Sequence, residues 1–197
     1  NAAQRRLTQQ NASTSSSGSA TENSLFQPAN IGMRLSEAGQ KLLKSYEGKV
    51  DGSGDPVLGY YDTDGSGNCT VGWGHLANNG ACAAGLKNEQ ITTEKAEEWV
   101  REDIADAELN IIKKIRVKLL QQEFDALVIL SFNYPVNGDN TPKLIRAVNT
   151  LRTADPKFGD ISREWSDILG APELPARRHD ELEVFFFGEY GRGPTPK

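Results

Sequence analysis

Residues 57–76 read VLGYYDTDGSGNCTVGWGHL, and the predicted architecture of the chain depends on them. Short runs of β-branched and aromatic residues are separated here by Gly, Asp, Asn and Ser, which favour tight turns. The pattern predicts a small antiparallel sheet. Two side chains with useful chemistry, Asp62 and Thr70, fall on its predicted strands.

Helical periodicity lies on both sides of the predicted sheet. Before it, apolar residues recur at helical spacing between a Ser36 N-cap and Gly48, which predicts a helix over about 36–47. After it, the same spacing runs from Thr92 over about 24 residues, a helix roughly 36 Å long. Further helices are predicted over 119–133, 142–150, 160–169 and 176–187. The predicted class is α+β, with a small β-lobe and a mainly α-helical lobe joined by the long helix.

Composition divides the chain into two parts. Residues 11–23 read NASTSSSGSATEN and contain almost nothing to bury, which is typical of a flexible linker. We therefore assign 1–34 to a Ser/Thr-rich linker and 35–197 to one folded domain. The chain starts at Asn1, without Met or a leader pattern, which favours a processed piece of a longer protein.

The same composition argues against several classes of partner and cofactor. The net charge is −5 with no basic stripe, so nucleic acid is not expected as a partner. No apolar run approaches the roughly 18 residues that a membrane span needs. Two histidines and two cysteines do not suffice for a multi-histidine or zinc-finger site, and no cofactor is expected. Cys69 and Cys82 either form one disulfide or remain two small unpaired side chains.

Two carboxylic acids in contrasting predicted surroundings indicate acid–base chemistry. Glu47 ends the first predicted helix, where the negative helix end and a partly apolar cleft would make its carboxyl harder to ionise. Asp62 lies at a polar, turn-rich strand end that favours the charged form. Cleavage of a glycosidic bond uses such a pair: one acid protonates the leaving oxygen, and the other serves the oxocarbenium-like transition state or an attacking water. The Thr70 hydroxyl could hold that water.

The order of these residues is more specific than any one of them. The segments YEG (46–48), YYDTDG (60–65) and TVGWGHL (70–76) resemble the signature of the phage-type lysozymes, glycoside hydrolase family 24. The resemblance covers about residues 35–187, and it includes SFN (131–133) and PARRHDE (175–181). An insertion, VDGSGDPVLG, lengthens the stretch between the two acids and leaves their separation open.

The resemblance implies a role for each of six residues. Glu47 would be the general acid, Asp62 the base or electrostatic partner, and Thr70 the residue that positions water. Substrate-binding roles would fall to Leu76, Phe132 and Asn133. For His75 a structural role is favoured, with a hydrogen bond to the backbone or near Glu47.

Residues 62–68 also match the first half of a calcium loop. Position 12 of that loop is Trp73 rather than the bidentate Glu that calcium requires, so a hairpin turn is favoured.

The expected function is hydrolysis of the β-1,4 bond between N-acetylmuramic acid and N-acetylglucosamine in bacterial peptidoglycan, without a cofactor. Two alternatives are a lytic transglycosylase, which would not need Asp62 or Thr70, and a non-catalytic wall-binding module. We expect a monomer that acts in the periplasm as a phage endolysin or as the C-terminal domain of a larger protein, such as a type VI secretion effector. An immunity or inhibitor protein is a further expected partner.

Overall fold

The computed structural model describes residues 27–49, 53–62, 67–168 and 174–191. Residues 1–26, most of the predicted linker, lie outside these ranges. Within them the chain folds into an antiparallel sheet and a set of helices, in the α+β arrangement that the sequence predicts. The elements follow in the order α1 (Glu37–Glu47), β1 (Val57–Asp62), β2 (Cys69–Gly72), β3 (His75–Asn78), a 3₁₀ helix (Leu86–Asn88), α2 (Thr93–Lys114), α3 (Gln121–Asn133), α4 (Pro142–Val148), α5 (Phe158–Ser166) and α6 (Leu174–Phe187).

The sheet has the strand order β1-β2-β3, with both neighbouring pairs antiparallel. Its central strand β2 is buried along its whole length. In the register of the sheet, Thr70 lies opposite Tyr61 on one side and opposite Leu76 on the other. The sheet therefore places the predicted water-positioning residue between the strand that ends at Asp62 and the strand that carries Leu76.

The helical lobe is built around α3, in which nine consecutive residues are buried. The long helix α2 packs on both β2 and α3, so it joins the two lobes as predicted. Its N-cap is Thr92, whose side chain accepts a hydrogen bond from the Lys95 N–H. Among the described helices, none combines the length and the apolar composition that a bilayer crossing requires.

The segment before α1 packs on the helical lobe. Asn30 is only 1% exposed. Its amide nitrogen donates to the carbonyl oxygens of Ile115 and Val117 at 3.1 and 3.0 Å, and its amide oxygen accepts from the Leu119 N–H at 2.9 Å. Residues 27–34 fall within the segment that the sequence assigns to the linker, and the Asn30 contacts make this part continuous with the packed domain.

Candidate active site

Glu47, the last residue of α1, is held by a buried arginine from α6. Arg177 donates from Nη1 to Glu47 Oε1 at 2.6 Å, and from Nε to Glu181 Oε1 at 3.0 Å. Burial alone would lower the pKa of the Arg177 guanidinium, but the charges of Glu47 and Glu181 outweigh it and raise that pKa. The guanidinium carbon also lies 4.8 Å from the centre of the Tyr46 ring. These contacts fix Oε1 of Glu47 against the helical lobe.

The other carboxylate oxygen of Glu47 lies toward the β-lobe. Gly74 follows β2 with a φ of +83°, and a Cβ built on it would lie 3.6 Å from Glu47 Oε2. Glycine adopts this left-handed conformation without the steric cost that a side chain brings. Gly74 also lines the cleft between the lobes. Oε2 is therefore the oxygen of Glu47 that is placed next to the cleft.

Behind Glu47, a charge network reaches into the core. Glu181 is fully buried and accepts from Trp165 Nε1 at 2.9 Å and from Arg178 Nη1 at 2.6 and 2.5 Å. Arg178 Nη2 also donates to Asn133 Oδ1. The two glutamates and two arginines of this network balance in charge, as buried charges need to. The side-chain oxygen of Asn133 thus joins the network, and its role in binding substrate stays a prediction.

Asp62, at the end of β1, is held through both of its oxygens. Oδ1 accepts from the Cys82 N–H at 2.6 Å, and Oδ2 accepts from Lys87 Nζ at 2.8 Å. The hydrogen bond from Lys87, followed by that from the Cys82 N–H, lowers the pKa of Asp62. Asp62 is therefore kept in its charged form, in keeping with its predicted polar surroundings. Sequence reasoning did not identify Lys87, which lies in a loop without a recognisable motif.

The two cysteines form a disulfide, which decides between the readings that the sequence left open. Cys69 in β2 is bonded to Cys82 in the loop after β3. Both residues are buried. The bridge therefore joins the central strand to the loop whose backbone N–H binds Asp62.

Thr70 is 6% exposed and donates its hydroxyl to the Tyr61 carbonyl oxygen at 3.5 Å. A threonine hydroxyl has one hydrogen to donate and two lone pairs with which to accept. The hydroxyl hydrogen is used within the sheet, but the lone pairs are not. Thr70 can therefore still accept a hydrogen bond from a water molecule.

The cleft between the lobes has a volume of about 360 Å³. Two of the predicted substrate-binding residues, Leu76 from β3 and Phe132 from α3, both line it. Its walls also contain polar groups that the sequence analysis did not single out, among them Asp103, Asp106, Asn110 and Ser131. Apolar surface with a few polar groups suits a saccharide, which has both apolar ring faces and hydroxyl groups.

His75 binds to the long helix rather than to the backbone or the region of Glu47. Its Nδ1 lies 3.0 Å from Asp103 Oδ2, and its ring stacks on Trp99 with 4.6 Å between the ring centres. The sequence favoured a structural role for His75, but its partner is an α2 carboxylate. This pair joins β3 to α2.

The calcium-like pattern lies partly outside the described ranges, which omit residues 63–66. Its first residue, Asp62, binds Lys87 and the Cys82 N–H. In the described part of the chain, no group of three or more His, Cys, Asp or Glu side chains is arranged to hold a metal ion.

Among the described residues that line this cleft, neither acid appears: Glu47 Oε2 lies beside Gly74 at its edge, and Asp62 lies at the end of β1 beside Lys87. A two-lobed α+β fold with one acid at the end of α1 and another on the sheet is the arrangement of a lysozyme-like glycoside hydrolase. Comparison with known proteins identifies the family: the chain belongs to the phage lysozyme family, whose sequence profile matches residues 57–181. It is therefore a peptidoglycan-degrading glycoside hydrolase that acts on the cell wall.

Relatives are similar to this chain in sequence, and solved structures are similar to it in fold. An endolysin of Acyrthosiphon pisum secondary endosymbiont phage 1 is 33% identical over an alignment of 122 residues, which covers 59% of this chain and 70% of the relative. The fold is similar to that of an endolysin from Escherichia coli O157:H7 phage FAHEc1, with a TM-score of 0.63, 24% identity, and coverage of 82% of this chain and 98% of the other. It is also similar to the muramidase domain of SpmX from Asticaccaulis excentricus, with a TM-score of 0.59, 23% identity, and coverage of 78% and 97%.

Proposed function

We propose that this chain cleaves the β-1,4 bond between N-acetylmuramic acid and N-acetylglucosamine with Glu47 as general acid, Asp62 as charged carboxylate and Thr70 as the residue that positions water. The observation that supports the proposal is that the two carboxylate oxygens of Glu47 have different neighbours. Oε1 is anchored on Arg177, whereas Oε2 lies next to Gly74 at the cleft. Because Glu47 precedes the range matched by the family profile, its assignment depends on this geometry.

Glu47 rests as the anionic partner of Arg177, so in the proposed reaction it first takes up a proton from solvent on Oε2 while Oε1 stays bound to Arg177. That proton then moves from Oε2 to the glycosidic oxygen as the bond to that oxygen breaks. The anchored Oε1 limits rotation of the carboxyl group, which reduces the entropy lost when the transition state forms. Positive charge develops on the sugar ring at the same time. Asp62, held in its charged form, would stabilise that charge electrostatically.

The attacking water completes the hydrolysis. Thr70 would accept a hydrogen bond from this water, and Asp62 would orient it or take its proton. A carboxylate whose pKa is lowered is a weak base, so the contacts of Asp62 favour orientation and charge stabilisation over proton abstraction. The water oxygen bonds to the anomeric carbon, and the proton that it then loses passes to solvent.

The biological setting is also part of the proposal. A monomer that acts in the periplasm, after phage lysis or secretion, would meet peptidoglycan directly. An immunity or inhibitor protein would then protect cells that produce the enzyme.

A non-catalytic wall-binding module is the alternative function. It would be indicated if the wild-type protein bound the wall but released no fragments from it.

The proposal is tested with Glu47→Gln on purified peptidoglycan. Gln keeps the size of Glu but cannot supply the proton, and general acid catalysis contributes about 10²- to 10⁴-fold, so reducing-end release should fall at least about 100-fold. The matched control is Glu37→Gln, which changes an exposed glutamate at the other end of the same helix and should release reducing ends as the wild type does.

Thermal unfolding of each variant checks that the domain remains folded. Equal release of reducing ends by wild type and Glu47→Gln would refute the assignment of Glu47. Mass spectrometry of the products separates the remaining alternative, since 1,6-anhydro ends in place of reducing ends would indicate a lytic transglycosylase.

A further inference from the structure

The loop between β3 and α2 makes two hydrogen bonds to Asp62, and neither of them belongs to the sheet or to a helix. We propose that Lys87 and the Cys82 N–H are positioning groups that hold Asp62 in its working orientation, and that the Cys69–Cys82 disulfide fixes the Cys82 N–H in place for this purpose. This inference rests on the catalytic role proposed above for Asp62.

Asp62 would be free to rotate without these contacts. It is the last residue of β1, and 37% of its side chain is exposed. The Cys82 N–H and Lys87 Nζ each bind a different oxygen, which fixes both the rotation and the tilt of the carboxylate. Each carboxylate oxygen has two lone pairs. One lone pair on each oxygen therefore stays available to a water molecule or to the substrate.

The disulfide, a strand pairing and a hydrogen bond together form a closed ring of contacts that includes Asp62. Cys69 is the residue directly opposite Asp62 in the β1–β2 register. It is bonded to Cys82, whose N–H returns to Asp62 Oδ1. The covalent bridge therefore starts at the strand partner of Asp62 and ends at its hydrogen-bond donor. A bridge between two other points of the loop would not fix this N–H relative to the strand.

The far end of the loop is attached to β1 as well. The Ile91 N–H donates to the Leu58 carbonyl oxygen at 2.9 Å, and Gln90 forms an isolated β-bridge with Gly59. Lys87 lies on the 3₁₀ helix just before this attachment. Among the described residues, its ammonium is the charged group that lowers the pKa of Asp62. The loop is thus fastened on both sides of the residue that supplies the cation.

The first test replaces the cation. Lys87→Met should lower kcat/KM on peptidoglycan at pH 7 about tenfold, through misplacement of the carboxylate. Because Lys87 lowers the pKa of Asp62, its loss should also move the acid limb of the kcat/KM profile to higher pH. Lys87→Arg should retain both the activity and the acid limb. Lys157→Met, which removes an exposed ion pair with Asp155 elsewhere, is the matched control and should leave both unchanged.

The second test separates this inference from the proposed function. Asp62→Asn should leave a reduced but measurable rate, and adding Lys87→Met should lower that rate no further, because both changes act through one carboxylate. Full activity of Asp62→Asn would refute the role of Asp62 itself. An Asp62→Asn variant of strongly reduced activity together with a Lys87→Met variant of wild-type activity and pH profile would overturn the positioning role alone.

The disulfide is tested by thiol reduction at a temperature where circular dichroism shows the reduced domain to be folded. Reduction should lower kcat/KM and should do so much less in the Asp62→Asn background. A folded, reduced enzyme with wild-type activity and acid limb would refute the part assigned to the disulfide. Cys82→Ala gives the same comparison without a reductant and should match the reduced protein.

Discussion

Replacement of Arg177 with methionine should destabilise the domain and inactivate it together. Arg177 is 6% exposed, and it is the cation shared by Glu47 and Glu181. Methionine fills a similar volume without charge. The change would leave the network with two glutamates and one arginine, so one negative charge would lack compensation in a region largely shielded from water.

The size of the effect follows from what remains around each carboxylate. Removal of one partner of a buried ion pair typically costs about 3–5 kcal/mol. Glu181 keeps Arg178, at 2.6 and 2.5 Å, and 17% of the Glu47 side chain is exposed. The remaining partner of Glu181 and the partial exposure of Glu47 both reduce the loss of stability, which we expect near the lower end of that range, at about 3 kcal/mol. At a length of 197 residues, that corresponds to a fall in Tm of about 9 °C.

Calorimetry and reducing-end release would measure the two consequences on one preparation. Release of the Oε1 anchor should lower kcat about 10- to 100-fold, even at temperatures where the variant is folded. The control is Arg163→Met on α5, which removes a guanidinium paired with Asp160 at the surface and should leave Tm within error of wild type. An Arg177→Met protein that unfolds within about 2 °C of wild type would contradict the stabilising role assigned to the Arg177 ion pairs.

Two further predictions concern stability. Asn30→Ala leaves two carbonyl oxygens and one N–H without their partner and should cost about 2–3 kcal/mol in urea unfolding, whereas an unchanged midpoint would show that the segment before α1 is not part of the stable fold. Burial and the hydrogen bond to Asp180 raise the pKa of Tyr46. The neutral Tyr46 side chain therefore stabilises the folded state fully below the unfolded-state pKa of about 10, and this contribution is lost as pH rises above that pKa. Tyr46→Phe should therefore lose less free energy of unfolding than wild type between about pH 9 and pH 11, and equal losses would contradict that origin.

Local sequence signals sufficed to predict most of the secondary structure. The α1 helix was predictable because Ser36 caps its start and apolar residues follow at helical spacing. The sheet was predictable because aromatic and β-branched runs alternate with turn residues around Asp62. The predicted helix over 160–169 is found at Phe158–Ser166, which is a shift of a few residues of the kind that helix ends often show.

The contacts that position the site could not be read in the same way. Arg177 is separated from Glu47 by 130 positions, and no local periodicity pairs two residues across α1 and α6. The sequence contains the arginine, but only the packing of α6 on α3 brings it to the acid. Lys87 was missed for a related reason, since a lone lysine in a polar loop has no spacing that marks its partner. The disulfide stayed open because spacing alone allows both states of the cysteines.

Because Arg177 on α6 binds Glu47, enzymatic turnover also reports whether α6 is attached to the rest of the domain. Proteins open in segments whose free energies range from near zero to that of global unfolding, and opening of a segment that supplies a contact to the site stops turnover. Detachment of α6 would remove the Arg177 contact to Glu47 while α1, the sheet and the disulfide stayed formed. On heating, turnover should then cease before circular dichroism reports the main transition. Amide hydrogens of α6 should exchange with solvent at a rate that follows this early loss.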